Sequence, residues 1–263
     1  GKIHADINQL RGDTGGTITG RFSYSNPNLQ QIPNYIDSAL GIRSIFSPNS
    51  IHEKWCSFDY SQQEPRLVVH YAALRNIPGS HSFVEGYNNG VEDKKTGEMK
   101  PADFHDMVSE ITELPRGQAK TINLALFYGM GKGRLADSLK ISPEATTSIL
   151  NKYNQMVPFV KLLSREVSRQ AQDVGYIKTI EGRHSRFPKY EPILRGEDWG
   201  NYVQAEDYER MLELKKMGPW LLDEDGNITD QKNYWHDNGH RRAFTYKALN
   251  KLIQGSAADM TKK

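Results

Sequence analysis

Apolar residues along the chain recur mostly at helical spacing, with a few short runs and long polar stretches between them. The run Leu67, Val68, Val69, Tyr71, Ala72 predicts a helix beginning just after Ser61. Ser61-Gln62-Gln63-Glu64 has the form of a capping box, and Pro65 is tolerated in a first helical turn. Just upstream, residues 52–60 predict a short buried strand that ends at Asp59. Further helices are predicted at 102–112, 116–128, 132–139 and 143–173, with a last one from about 241 to the end. Residues 1–35, rich in Gly, Thr, Asn and Gln, read as loop and turn, and so do the polar residues 79–101. The pattern alone gives a mostly helical chain with a few strands and no internal repeat.

Composition narrows the class. The 263 residues suffice for one large domain or two closely packed ones. A hydrophobic share of 37% and a charged share of 25% fit a soluble globular protein. No window approaches the roughly 18 apolar residues of a membrane span. The start, Gly1-Lys2-Ile3-His4, is neither an initiator Met nor a signal peptide. Cys56 is the only cysteine, which excludes a disulfide framework and fits a reducing compartment, read here as the cytoplasm.

The net charge of +2 hides a pattern. Residues 116–189 carry 13 Lys/Arg and 5 Asp/Glu, residues 190–240 carry 5 and 12, and residues 241–263 carry 6 and 1. Two basic blocks around an acidic one point to a polyanion touched by the first and third. Solvated helix faces give the same counts, so charge alone leaves both readings open.

The candidate chemistry lies in a few segments. Arg116, Lys120, Leu124 and Tyr128 are spaced by four, so on a helix they drift only about 120° in total and share one broad face. Two cations on such a face can hold a triphosphate, and the aromatic residue can stack on a base. An ordinary amphipathic helix with a basic edge has the same spacing. Gly129-Met130-Gly131-Lys132-Gly133 lacks the gap and the Lys-Ser/Thr of a phosphate-binding P-loop and reads as a helix stop. Asp59, at the end of a strand, is placed as a magnesium ligand would be, and the Tyr60 carbonyl could join it. A capping or turn role is the plainer alternative for Asp59, and the capping box for Glu64. Asp223-Glu224-Asp225-Gly226-Asn227 fails as a calcium loop, because Leu221 and Lys232 fall on ligand positions, and reads as a surface turn.

Asp59-Tyr60-Ser61-Gln62-Gln63-Glu64-Pro65-Arg66 resembles motif A of family A (DNA polymerase I-like) DNA polymerases, and residues 116–129 resemble motif B, the fingers helix. Thr19-Gly20-Arg21 and Asn26-Pro27-Asn28-Leu29-Gln30-Gln31-Ile32-Pro33 resemble that family's primer-template segment. Asp103-Phe104-His105, Gly175-Tyr176, Gly182-Arg183 and Gln254-Gly255-Ser256-Ala257-Ala258-Asp259 match in order. The resemblance implies an α+β fold: an antiparallel palm sheet carrying Asp59, with helical fingers. It divides the chain into palm (1–100), fingers (101–189), an acidic insertion (190–240) and a palm return helix (241–263).

It also implies roles. Asp59 and the Tyr60 carbonyl would hold two Mg2+ ions. His105, Arg116 and Lys120 would bind the triphosphate, with Lys120 also protonating the leaving pyrophosphate. Glu64 would crowd the sugar 2′ position and exclude ribonucleotides. Gln62, Leu124 and Tyr128 would line the nucleotide site. Arg21, Asn28, Gln30, Asn250 and Gln254 would hold primer-template DNA. The implied reaction is templated nucleotidyl transfer from dNTPs.

Four features depart from the pattern. Leu124 stands where cellular members have Phe and some phage members Tyr. Gln63 and Pro65 replace apolar residues, a variant associated with phage enzymes and hence with a bacterial-host cytoplasm. Tyr246 stands where Arg is expected. Motif C, His-Asp-Glu, is not within the 263 residues, so the second metal-binding Asp is expected in a longer polymerase, and this chain alone is expected not to extend a primer. A single-subunit RNA polymerase shares the spacing of motif B, but Glu64 argues against it. A non-catalytic DNA- or nucleotide-binding module is the remaining alternative.

Overall fold

A computed structural model describes residues 2–12, 15–33, 42–48, 50, 52–54, 56–93, 96–192, 203–204, 220–222, 225, 227–232 and 240–263. Helices dominate and the sheets are small and antiparallel, so the class is α+β. The N-terminal stretch, expected to be loop, contains a ribbon of β1 (Asp6–Asn8) and β2 (Ser23–Ser25).

The helical body starts with α1 (Gln63–Leu74), which buries Pro65, Leu67, Val68, Val69, Tyr71 and Ala72. The capping box does not form. Gln62 is the N-cap in the left-handed region, with φ 54° and ψ 41°, and makes no side-chain cap. Glu64 is held elsewhere, as described below.

Residues 79–101 are not simply loop. They form α2 (His81–Asn89) and a hairpin of β3 (Val91–Glu92) and β4 (Met99–Lys100). The sequence hides α2 because its polar residues face water, while Phe83 anchors it with a ring 5.2 Å from Phe104 and 5.0 Å from Phe159. Phe104 lies in turn 5.7 Å from Phe127. These rings tie α2, α3 (Phe104–Thr112), α4 (Arg116–Phe127) and α7 (Pro158–Val174) into one core.

Between α4 and α7 lie α5 (Lys132–Leu139) and α6 (Pro143–Met156). Ser142 caps α6 by accepting from the Ala145 amide at 3.2 Å. The single helix expected over 143–173 is two. Pro158 cannot donate a backbone hydrogen bond and forces Val157 to φ −127°, ψ 62°, so the helix restarts there. Helix α7 presents Phe159, Val160, Leu163, Val167 and Ala171 to the core at helical spacing.

Gly175, at φ 80°, ends α7 in the left-handed conformation that favours glycine. A hairpin follows, β5 (Tyr176–Lys178) against β6 (His184–Arg186). Strand β7 (Lys189–Pro192) pairs with β8 (Val203–Gln204) on one side and β11 (His240–Arg242) on the other. Strands β9 (Trp220–Leu222) and β10 (Ile228–Lys232) form a hairpin around Asp225 and Asn227. Most of the acidic stretch, including Pro219, Asp223, Glu224 and Gly226, lies outside the described residues.

The last helix, α8 (Ala248–Lys262), is shorter than expected, because 241–247 are taken by β11 and a 3-10 turn. It packs on α1 and α7 through Leu249, Leu252, Ile253 and Ala257. The strand expected over 52–60 is absent from the described part of that segment. No described strand pairs with it, so its backbone gains no ladder, and Phe58 is 94% exposed. Asp59 therefore sits on an irregular, exposed segment leading into α1.

Candidate functional site

Helix α4 follows Pro115, whose φ of −54° suits a helix entry. Its first residue, Arg116, is a cation at the positive end of the helix dipole, an unfavourable place. Two carboxylates of α3's first turn offset this: Asp106 accepts from Arg116 Nε and Asp103 from Nη2 at 3.2 Å. Asp103 also caps α3, accepting from the His105 and Asp106 amides at 2.8 and 3.1 Å.

One turn along, Lys120 is exposed and makes no ion pair among the described residues. Leu124 is half-buried on the same side. Tyr128, just past the helix end, donates from its hydroxyl to Glu64 Oε2 at 2.6 Å. The shared face expected from the four-residue spacing is present, while Ala119, Ile122, Asn123, Ala125 and Phe127 fill the opposite side.

Glu64 is held from two directions. Besides Tyr128, Arg21 Nη2 donates to Oε1 at 3.0 Å, and only 12% of the Glu64 side chain is exposed. Burial, then Glu64, pushes the Tyr128 hydroxyl up to about 12, while Gln254 pulls the other way. Arg21, Glu64, Tyr128 and Gln254 thus form one chain of contacts from the N-terminal ribbon across α1 and α4 to α8. Asn250 lies one helical turn before Gln254 and is half-buried.

A cavity of about 360 Å³ adjoins this chain, lined among others by Arg21, Tyr24, Gln30, Asp59, Gln63 and Lys262. It brings Asp59 to the same cleft as Arg21. Gln30 Nε2 donates to the Phe22 carbonyl at 3.2 Å, and Asn28 Oδ1 accepts from the Gln30 amide at 3.1 Å. These two side chains shape the N-terminal loop. Gln62 is drawn away from the open face: its Oε1 accepts from the Phe104 amide at 2.6 Å and its Nε2 donates to the Ala102 carbonyl at 3.2 Å. Tyr60 is 55% exposed beside Asp59.

His105 is 8% exposed. Burial holds its pKa below the ordinary histidine value, helped by Arg116 and Lys120 and opposed by Asp103 and Asp106. Its Nδ1 lies 2.9 Å from Asn123 Nδ2, and Asn123 Oδ1 accepts from the Tyr153 hydroxyl at 2.6 Å. Sequence reasoning missed Asn123 and Tyr153. The available signal was an Asn on the apolar side of α4, since a buried polar residue is the informative exception.

Arg183 also proves more central than its sequence match implied. Its Nε donates to Asp259 Oδ1 at 2.8 Å, and its Nη2 to the carbonyls of Thr19 and Gly255 at 2.9 and 3.0 Å. It fastens the N-terminal loop to α8. Gly255 makes room for it, since a Cβ there would stand 2.7 Å from Thr179 Cγ2 and 3.2 Å from Arg183 Nη2.

Two cations one turn apart, Arg116 and Lys120, can hold an anionic group, and the Tyr128 ring past the helix end can stack on a planar one. Comparison with known proteins gives the same direction. The sequence model of DNA polymerase family A matches residues 1–263. A DNA-directed DNA polymerase of Pseudomonas phage M6 is 30% identical over 304 residues, covering 100% of this chain and 38% of that protein. DNA polymerase I of Treponema pallidum is 31% identical over 190 residues, covering 70% of this chain and 17% of that protein. Among solved structures, the POL domain of Pol1 from M. smegmatis, in complex with DNA primer-template and dNTP, matches with a TM-score of 0.60 and 27% identity. That match covers 99% of this chain and 36% of the other. The chain thus spans well under half the length of these relatives.

Proposed function

The chain belongs to DNA polymerase family A, and on that premise we propose that it carries the fingers and part of the palm of a DNA-templated DNA polymerase. Its substrates are dNTPs and its partner is primer-template DNA. In the reaction, the primer 3′-hydroxyl gives its proton to water as its oxygen bonds to the α-phosphorus, the bond from that phosphorus to the bridging oxygen breaks, and pyrophosphate leaves on that oxygen. The observation that carries this reading is the Tyr128–Glu64 hydrogen bond, which closes the Arg116–Lys120–Leu124–Tyr128 face of α4 onto the start of α1.

Arg116, Lys120 and His105 hold the triphosphate. Lys120 is the cation on that face without a carboxylate partner among the described residues, which suits it to give a proton to the departing pyrophosphate. Glu64, anchored by Arg21 and Tyr128, stands at the sugar 2′ position. There a ribose hydroxyl would meet a carboxylate that cannot swing away, which disfavours the RNA polymerase alternative. Arg21, Asn28, Gln30, Asn250 and Gln254 are the proposed contacts to primer-template DNA, and of these Arg21 and Gln30 line the same cavity as Asp59. The palm comprises residues 1–100 and 241–263, and the fingers 101–189.

The proposed metal is Mg2+, in the two-ion arrangement that such chemistry uses to activate the attacking oxygen and neutralise the triphosphate. The described residues offer one carboxylate, Asp59, with the Tyr60 carbonyl beside it. They contain no group of three or more His, Cys, Asp or Glu suited to an ion. One carboxylate and one carbonyl do not by themselves make a two-ion site. No described helix is long and apolar enough to cross a membrane, and the bacterial-host cytoplasm is the proposed location.

The test is Asp59→Asn in the polymerase that carries this chain. Primer extension should be abolished while primer-template binding is retained. A near-normal extension rate would remove Asp59 from the metal site.

A further inference from the structure

His105 does not meet solvent as an ordinary surface imidazole. It sits on α3 with its Nδ1 turned inward to Asn123 of α4, and Asn123 is turned in its own right to Tyr153 of α6. Asn123 and Tyr153 are both fully buried. A buried, neutral chain of three groups leaves little choice about where its protons lie.

Tyr153 has one hydroxyl proton, and burial pushes its pKa well above the ordinary tyrosine value, so the proton stays. The partner within 2.6 Å is Asn123 Oδ1. A hydroxyl that donates to Asn123 fixes the amide with its oxygen toward Tyr153 and its NH2 toward His105. An NH2 group 2.9 Å from Nδ1 needs that nitrogen to accept. The imidazole proton therefore lies on Nε2. Protonating the ring would set an N–H against an N–H, which agrees with the lowered pKa of His105.

The outer nitrogen is open. Among the described residues, His105 Nε2 is not one of the buried side-chain polar atoms that lack a hydrogen-bond partner. It has no hydrogen-bond partner within the described residues and keeps contact with solvent beside Arg116 and Lys120, whose charges it feels.

We propose that Tyr153 and Asn123 are positioning residues that lock His105 in the Nε2–H tautomer, so that it offers a fixed neutral donor to a nucleotide phosphate. The proposal rests on the nucleotide-binding reading of the α4 face. It explains why a polar Asn occupies the apolar side of α4. It also separates the labour at the phosphate: Arg116 and Lys120 supply charge, while His105 supplies a directed N–H that does not depend on being charged.

The test uses the 263-residue chain with 15N-labelled histidine. NMR at pH 7 should show His105 as the neutral Nε2–H tautomer. An Nδ1–H or charged ring would overturn the relay. Asn123→Asp keeps the shape but presents only acceptors, so the proton should move to Nδ1. Losing a hydrogen bond to a charged phosphate should then weaken dNTP binding about tenfold or more. Primer-template affinity should change by less than about twofold, because the relay does not face DNA. Retention of the Nε2–H tautomer and of dNTP affinity in Asn123→Asp would refute the proposal. Should that variant fail to fold, Tyr153→Phe serves. It frees the Asn123 amide to rotate and should give mixed tautomers and weaker dNTP binding, and an unchanged tautomer would again refute it. A wild-type chain that binds no dNTP would defeat the nucleotide reading alone, since the tautomer measurement decides the relay independently.

Discussion

Replacing Tyr128 by Phe removes one oxygen and leaves the ring. The lost group is the donor in the 2.6 Å hydrogen bond to Glu64 Oε2. Glu64 keeps its 3.0 Å contact with Arg21, but one of its carboxylate oxygens is left without that donor in a position where the side chain is only 12% exposed. A hydrogen bond to a charged group contributes about 1.5–3 kcal/mol, and the partial exposure of Tyr128 argues for roughly 1–2 kcal/mol here. If Glu64 excludes ribose by standing still, that energy appears as lost discrimination. Relative kcat/KM for a ribonucleotide over its deoxy counterpart should rise about 5- to 30-fold.

The assay is steady-state primer extension by the polymerase that carries this chain, with dATP and rATP measured separately. Glu64→Ala should relax discrimination at least as far. The double variant should do no more than Glu64→Ala alone, because Tyr128 acts through Glu64. The hydroxyl, raised to about 12, has its neutral form favoured by folding. That contribution is complete below the ordinary tyrosine pKa of about 10 and fades only as pH rises through about 12, so discrimination should be flat from about pH 7 to 9. Unchanged sugar selectivity in Tyr128→Phe, or additive effects in the double variant, would refute the reasoning.

Two further outcomes follow from packing and charge. Gly255→Ala would push a methyl to 2.7 Å from Thr179 Cγ2, and overpacking of this kind costs about 1–3 kcal/mol. Its melting temperature should fall, and adding Thr179→Ser, which removes the opposing methyl but keeps the hydroxyl, should restore most of the loss; no recovery would place the strain elsewhere. Lys251 is pushed down to about 8, first by burial and then by Lys247. The unfolded chain then binds more protons than the folded one between about pH 8 and 10.5, so stability gains from this group as pH rises through that window. Chemical denaturation of Lys251→Met should lack that gain relative to the parent, and an identical pH slope in both would contradict it.

The sequence made some features legible because they rest on local spacing. The face carrying Arg116, Lys120, Leu124 and Tyr128 needs only the helical repeat, and α3, α4 and α5 fall close to their expected bounds. Features set by distant partners were not legible. A capping box was a sound local reading of Ser61 and Glu64, yet Glu64 is claimed by Arg21, 43 residues earlier, and Tyr128, 64 residues later. Helix α2 was hidden because its place depends on Phe83 meeting Phe104 and Phe159. The expected strand before Asp59 had the right residues but no described strand to pair with. Pro158 is the one local signal that divides the helix expected over 143–173, since it lacks an amide donor and restricts the residue before it. The relay behind His105 needs three helices brought together, which no window of sequence reveals.

The central claim is that the α4 face and anchored Glu64 bind a deoxynucleotide for templated transfer to a primer. The most direct test is primer extension by the polymerase that carries this chain, with dNTPs and rNTPs supplied in parallel on a defined primer-template. Template-directed extension with dNTPs, and little with rNTPs, is the predicted result. Preferential use of rNTPs, or no template-directed extension under divalent-metal conditions, would contradict the account.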